Sequence, residues 1–250
     1  VGASFQQPLL TADITGLGVL RVLEAMKENA PNAKFYQASS SEMFGDYSSK
    51  KNETSPFQPR SPYGAAKVFG HHITNHYREA YGIFACCGIL FNHESPLRGL
   101  EFVTRKITST LARIKFKKTN LLKLGNISAK RDWGFAGDYV EAMWLMLQQK
   151  EPNDYVISTG ESHSVEEFLS LATEFAGLGD WHDFVKIDQS AMRPTDIEDL
   201  VGDSSIAQKQ LNWKPKTSFH ELVKMMVEHD IGFEKLHIDP SEFNKKSQEN

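Results

Sequence analysis

The 250-residue chain is poor in cysteine; its two, Cys86 and Cys87, are neighbours. Adjacent strand residues point to opposite faces, so no bridge between them is expected. Two buried thiols fit a reducing compartment instead. Long apolar runs are lacking as well. The longest, Ile83 to Phe91, is interrupted by Gly88 and is far too short to span a bilayer, so no membrane role is expected. Charge of one sign is scarce: a net −4 creates no bulk field that would draw nucleic acid or an anionic membrane. No signal peptide is visible, and a cytoplasmic location is the expectation. No Gly-rich strand-to-helix turn precedes the first helix, and the chain opens on Val1 rather than Met, so the N-terminus reads as truncated.

What is present alternates between helix and strand. Residues 8–29 carry Ile14, Leu17, Leu20, Leu23 and Met26 near helical spacing. A strand is predicted over Lys34–Ser39, a polar loop with Gly45, Pro56 and Pro59 over 45–60, and a helix opened by Ser61-Pro62 and running to Tyr81. Ile83–Phe91 reads as a fully buried strand. Further helices are expected over Phe102–Phe116 and Tyr139–Gln149, and strands over Leu121–Leu124 and Tyr155–Ser158. Ser164-x-x-Glu167 and Ser218-x-x-Glu221 are capping-box signatures for two more helices. The alternation predicts an α/β fold with a mainly parallel sheet covered by helices on both faces.

Several conspicuous groupings read as ordinary surface or core. His72 and His76 stand at i, i+4, a spacing open to zinc, but no third ligand follows at a useful distance, so a solvated helix face and no metal are expected. The basic run of Arg105, Lys106, Arg113, Lys115, Lys117 and Lys118 has no interleaved aromatics to stack bases, so no nucleic-acid role is expected. Met143, Trp144 and Met146 read as core.

Chemistry concentrates between residues 39 and 67. Tyr63 and Lys67, four apart on a helix, share one face. A free tyrosine is a poor base because its pKa is about 10; a neighbouring ammonium favours the phenolate. Upstream, Ser39-Ser40-Ser41-Glu42 lies at the carboxyl end of a strand, where open α/β sheets bind ligands. A hydroxyl and a carboxylate there can meet the Tyr/Lys pair of the following helix.

Gln37-Ala38-Ser39-Ser40-Ser41-Glu42 with Ser61-Pro62-Tyr63-Gly64-Ala65-Ala66-Lys67 resembles the extended short-chain dehydrogenase/reductases. Asn92-His93-Glu94-Ser95-Pro96 and Phe102-Val103-Thr104-Arg105-Lys106-Ile107 narrow the resemblance to the GDP-mannose 4,6-dehydratases, and Gly125-Asn126, Arg131-Asp132-Trp133-Gly134 and Arg193-Pro194 agree with it. The match runs from Val1 to about Gly232.

The resemblance implies a Rossmann-type doubly wound fold lacking its N-terminal part: 1–90 as the remaining NADP-binding portion, 91–240 mainly as an interleaved, smaller substrate-binding lobe, and 241–250 as a polar tail. It implies conversion of GDP-mannose to the 4-dehydro-6-deoxy sugar, the first step towards GDP-L-fucose, with NADP as cofactor and a homodimer or homotetramer packed partly through the helices at 8–29 and 61–81. The implied catalytic residues are Ser40, Glu42, Tyr63 and Lys67. Tyr63, Lys67, His93 and Arg98 are implied cofactor contacts, and Ser41, Asn92, Lys106, Arg131, Arg193 and Asp196 implied substrate contacts.

The chain departs from the family pattern in places. Ser40 stands where threonine is usual, Leu97 replaces the first arginine of a Pro-Arg-Arg-Gly run, Leu10 stands where tyrosine is common, and the stretch from Gly177 to Arg193 is short. Without the Gly-rich turn, whose backbone N–H groups hold a pyrophosphate, these 250 residues alone are expected to bind NADP poorly and to be inactive. Another nucleotide-sugar epimerase or reductase, or a non-catalytic fragment, stays open as an alternative; a carboxylate at position 42 speaks for elimination over the former.

Overall fold

In the computed structural model, all residues except 47–49, 190–194, 196 and 238–250 are described. After a short helix Gly2–Gln6, a helical rod over 8–29 (α1) is built from Pro8–Thr11, a π-helical stretch Ala12–Leu17 and Gly18–Asn29. Then come β1 (Phe35–Ser40), a 3₁₀ turn Ser41–Met43, α2 (Pro62–Tyr81), β2 (Ala85–Leu90), α3 (Val103–Lys115) and β3 (Leu122–Leu124). They are followed by α4 (Ala136–Gln148), β4 (Asp154–Ile157), α5 (Val165–Ala176), α6 (Ser205–Leu211) and α7 (Phe219–Leu236). The chain divides into two compact units, each assembled from three segments: 1–93, 129–163 and 193–218 in the first, and 94–128, 164–192 and 219–250 in the second.

The first unit is built on a parallel sheet of order β1-β2-β4, with Ser40 opposite Leu90 and Leu90 opposite Ile157. All six residues of β2 are buried, as the apolar run predicts for a strand covered on both faces. Side chains alternate between the two faces of the sheet and enter three apolar clusters. Cys86, Leu90, Tyr155 and Ile157 pack with Tyr139 and Met146 of α4 and with Leu211 and Trp213. Ile83 and Ala85 pack with Leu23 of α1 and Tyr77 of α2, while Ile89 and Val156 join Met43, Phe44 and Phe91. Helices therefore cover both faces, as expected. At Gly88 an added Cβ would stand 2.4 Å from the Tyr36 hydroxyl, so glycine is what lets that ring lie across the sheet.

Two expectations need correction. The π-helical stretch turns the front of α1: Gly16 is buried whereas Ile14 and Leu17 are exposed, because a wider turn shifts the apolar stripe out of its 3.6-residue phase. On α4, Met146 is core but Trp144, two residues earlier and thus on the other side of the helix, is exposed.

In the second unit α3, α5 and α7 pack together through Ile107, Leu111, Phe168, Leu169, Leu222 and Met226, all buried. Strand β3 pairs in parallel with Val185–Ile187. The capping box predicted at α5 is present: Ser164 Oγ accepts from Glu167 N–H at 3.0 Å, and Glu167 Oε2 accepts from Ser164 N–H at 2.8 Å. Helix α7 begins directly after Ser218. Asp230, deep in this unit, receives Arg105 Nη2 at 2.5 Å, Arg105 Nε at 3.0 Å and Thr108 Oγ1 at 2.6 Å.

Candidate active site

Strand β1 delivers its last residue, Ser40, in extended conformation into the Ser41–Met43 turn, and Ser40 Oγ accepts from Glu42 N–H at 3.3 Å. That bond leaves the hydroxyl proton available for donation. Ser41, Met43 and Phe44 are buried, which pins the turn, while Ser40 and Glu42 are half-buried at its surface. The loop that follows folds back: Gln58 N–H donates to Met43 O at 2.9 Å. Gly45 lies in the left-handed region at φ 71°, with an added Cβ only 2.0 Å from Gln58 O, so no other residue fits there.

Helix α2 starts where local chemistry dictates. Ser61 caps it by accepting Gly64 N–H at 3.0 Å, and Pro62 takes the first turn, where a missing N–H costs nothing. A Cβ on Gly64 would lie 2.6 Å from Glu42 O. The first turn of α2, which carries Tyr63, thus rests directly on the backbone of Glu42. One turn on, Lys67 Nζ donates to Ala38 O at 2.7 Å and sits 5.5 Å from the Tyr63 ring centroid. Burial holds the Lys67 ammonium below its ordinary pKa. Strand residues 38–42 and helix residues 63–67 therefore meet at the carboxyl edge of β1.

The remaining predicted residues fall into three groups. In the first unit Asn92 and His93 form the short strand Asn92–Glu94 with half-buried side chains. His93 Nδ1 lies 2.8 Å from Phe91 O, which can only accept, so Nδ1 carries the proton. The ring stacks on Tyr139 at 5.3 Å. Arg131 is buried and donates Nη1 to Lys130 O and Ile197 O at 2.8 and 2.7 Å. In the second unit Arg98 Nε lies 3.3 Å from buried Glu94 Oε2, its guanidinium covers the Phe102 ring at 3.6 Å, and Lys106 is half-buried on α3. Burial pushes the Glu94 carboxyl up, against Arg98 and the Thr104 hydroxyl. Arg193 and Asp196 lie outside the described residues.

Sequence reasoning gave no role to Asp132. Its fully buried carboxylate accepts Thr159 N–H and Oγ1–H at 2.8 and 2.7 Å, Gly160 N–H at 2.9 Å and Gly202 N–H at 3.2 Å. Beside Arg131, it ties the segment after β4 to the segment after Asp199–Leu200. An acid between an arginine and a tryptophan was the available signal. Among the described residues, His71, Cys87 and Asp154 have ligand-type atoms within 4.8 Å of one another. The Asn75 carboxamide, however, already bonds to all three: Cys87 Sγ at 3.4 Å, His71 Nε2 at 3.3 Å and Asp154 Oδ2 at 2.8 Å. His72 and His76, by contrast, are exposed. No helix among the described residues is long and apolar enough to cross a membrane.

Residues 1–226 match the family model described as GDP-mannose 4,6 dehydratase. The chain belongs to the GDP-mannose 4,6-dehydratase family. It is 56% identical over 235 residues to GDP-mannose 4,6 dehydratase 1 of Arabidopsis thaliana, covering 92% of this chain and 65% of that protein. It is 47% identical over 252 residues to GDP-mannose 4,6 dehydratase of Homo sapiens, covering 92% and 67%. It thus spans about two thirds of the length of these curated relatives. Among solved structures, UDP-glucose 4-epimerase of Thermus thermophilus in complex with NAD is similar at TM-score 0.82 and 27% identity, covering 93% of this chain and 74% of that one. RMD from Pseudomonas aeruginosa complexed with NADPH shares the fold at TM-score 0.84 and 22% identity, covering 93% and 78%. Two departures from the GDP-mannose 4,6-dehydratase pattern, Leu97 and Leu10, are exposed, at 90% and 52%.

Proposed function

We propose that this chain carries the catalytic groups of a GDP-mannose 4,6-dehydratase, converting GDP-α-D-mannose to GDP-4-dehydro-6-deoxy-D-mannose and water. The observation that carries the reading is the contact of α2's first turn, at Gly64, with the backbone of Glu42, 2.6 Å from a Cβ placed there. It brings a phenol-bearing turn against a carboxylate-bearing one. Tyr63 takes the O4 proton as C4 is oxidised, and Ser40 donates a hydrogen bond to the same oxygen. Glu42 takes the C5 proton, made acidic by the new C4 ketone, and returns a proton to the departing C6 hydroxyl. An epimerase needs no carboxylate for this step.

The donor set at the edge of β1 fits NADP. An ammonium has three donors, and Ala38 O engages one of Lys67's, which leaves donors for ribose hydroxyls. When bound, NADP would supply the acceptor for the C4 hydride and its donor to C6; as C6 is reduced, C5 regains the proton that Tyr63 took from O4, so the net change is the loss of one water. In this reading Lys67, Tyr63, His93 and Arg98 hold the cofactor, while Ser41, Asn92, Lys106, Arg131, Arg193 and Asp196 hold the sugar nucleotide. Arginine suits a diphosphate because its fork bonds two oxygens at once. The product feeds GDP-L-fucose synthesis in the cytoplasm. Exposed Leu9, Leu10, Ile14 and Leu17 of α1 with Phe69 of α2 supply an apolar face for a homodimer or homotetramer.

The test is incubation of the full-length protein with GDP-mannose and NADP, reading product mass for the loss of one water. Glu42→Gln is expected to lower turnover by roughly 10²–10⁴-fold, the usual contribution of a general acid–base group. Undiminished turnover in that variant would remove Glu42 from the mechanism.

A further inference from the structure

Tyr63, Lys67, His71 and Asn75 recur every fourth residue along α2 and form one stripe, with Arg78 three residues on. The upper half of the stripe is the proposed proton-transfer pair. The lower half lies in the first unit, with His71 buried and Asn75 and Arg78 half-buried, and reaches the sheet through polar bonds. His71 Nδ1 lies 3.1 Å from Ser39 Oγ on β1. Asn75 reaches Cys87 on β2 and Asp154 on β4, and Arg78 Nη1 donates to Asp154 Oδ1 at 2.8 Å and to Ala85 O at 3.1 Å. One helix is thus pegged to all three strands β1, β2 and β4.

The proton pattern follows from the partners. The Cys87 thiol donates to Asn75 Oδ1, so Asn75 Nδ2 is the atom facing both Asp154 Oδ2 and His71 Nε2. Nε2 therefore accepts, Nδ1 carries the hydrogen and donates it to Ser39 Oγ, and the ring is neutral. Consistently, burial, opposed by Asp154, pushes the His71 pKa down to about 4. The other buried residues of α2 before Tyr77 are small, Gly64, Ala66, Gly70 and Thr74, while Val68 and Ile73 are half-buried against the apolar clusters on either side. Small residues let the helix lie close, and directional polar bonds beside the apolar contacts of Val68, Ile73 and Tyr77 fix where along the strand it stops. Lys67 on Ala38 O and His71 on Ser39 Oγ are consecutive tethers on consecutive strand residues, immediately before Ser40.

We propose that His71 is a positioning residue: its bond to Ser39, braced by Asn75, Asp154 and Arg78, sets the register of α2 on β1 and so the placement of Tyr63 and Lys67 against Ser40 and Glu42. This rests on the catalytic reading of those four residues. Buried polar networks that are fully satisfied specify one arrangement, and partly satisfied ones do not. Misplacement of a reacting group by about 1 Å is worth up to roughly 10²-fold in rate.

The test uses the full-length protein. Ser39→Ala and His71→Leu are expected to lower kcat by roughly 10–100-fold, to leave KM for GDP-mannose within about 3-fold, and to shift the limb of the kcat–pH profile set by Tyr63. His71→Asn, whose Nδ2 can take the place of Nδ1–H, is expected to restore most of kcat. Ser39→Ala, a small truncation, guards against simple misfolding. Wild-type kcat and pH profile in Ser39→Ala and His71→Leu would overturn the proposal, as would equal losses in His71→Asn and His71→Leu. Tyr63→Phe separates the two layers. If it stays active, the catalytic reading fails. If it is dead while the His71 and Ser39 variants are unimpaired, only the positioning role fails.

Discussion

The two units bury charge in opposite ways. In the second, Asp230 meets Arg105 through a two-pronged ion pair with Thr108 as a third donor, which joins α3 to α7. In the first, a neutral histidine sits among a serine, a carboxamide, a thiol and an Asp154–Arg78 pair, linking one helix to three strands. The ion pair is a clasp between helices far in sequence. The histidine network, with its own Asp154–Arg78 pair at one end, instead spreads several directional bonds over a face that also carries the proposed chemistry. Strength suits a scaffold, whereas graded direction suits a helix whose exact seating matters.

The contrast breaks most visibly at Asp230. Asp230→Leu leaves the Arg105 guanidinium buried without its counter-charge and is expected to cost about 3–5 kcal/mol, read by urea denaturation. Replacing both partners, Arg105→Met with Asp230→Leu, is expected to recover most of that loss, because the uncompensated charge disappears. If the double variant is no better than the single, the clasp view of the second unit is wrong.

Acid sharpens the other side. The folded state holds the His71 pKa at about 4, below the 6.5 of an unfolded chain, so folding favours the neutral ring. That contribution is complete above pH 6.5 and is lost as pH falls from 6.5 towards 4, amounting to about 3 kcal/mol across the window. Asp154 adds its share lower down. Burial would raise its pKa, but the Arg78 hydrogen bond and charge hold it below its ordinary value, so its contribution persists above the unfolded carboxylate range and fades only beneath it. Urea midpoints measured between pH 7 and 4.5 should fall for the wild type and fall less steeply for His71→Leu. Parallel slopes would remove His71 as the source.

The smallest effect is at the α5 cap. Ser164→Ala removes one half of the capping box and is expected to cost about 1 kcal/mol, seen as a small shift in the same urea midpoint. A loss several times larger would show that the second unit depends on its helix ends as much as on its clasp.

These features differ in how far the sequence discloses them. Helix α2 is legible to the residue because Ser61, Pro62 and Gly82, with φ 64° at the C-cap, act on their immediate neighbours. Strand β2 is legible because a strand covered on both faces needs an unbroken apolar run. The π-helical stretch in α1 left no mark, since no residue type demands it and the apolar spacing fits an ordinary helix as well. The Tyr63–Lys67 pair could be read from spacing within one helix. The Ser39–His71–Asn75–Asp154 network could not, because its members come from β1, α2 and β4 and only folding brings them together. The spacing rule drew attention instead to His72, next to His71 in sequence but exposed.

Each unit is drawn from three separate stretches of chain, and the first draws its last stretch from residues 193–218. During synthesis, therefore, the first unit is finished only after most of both units has left the ribosome. The βαβ core 35–90 must wait, with strand β2 lacking its neighbour β4, while 94–128 and 129–153 are still being made. Nascent chains halted before Ile157 would display an open apolar strand edge, the kind of surface that recruits chaperones or sticks to other chains. A cut that separates the units in sequence does not exist, so they are inherited, expressed and lost together.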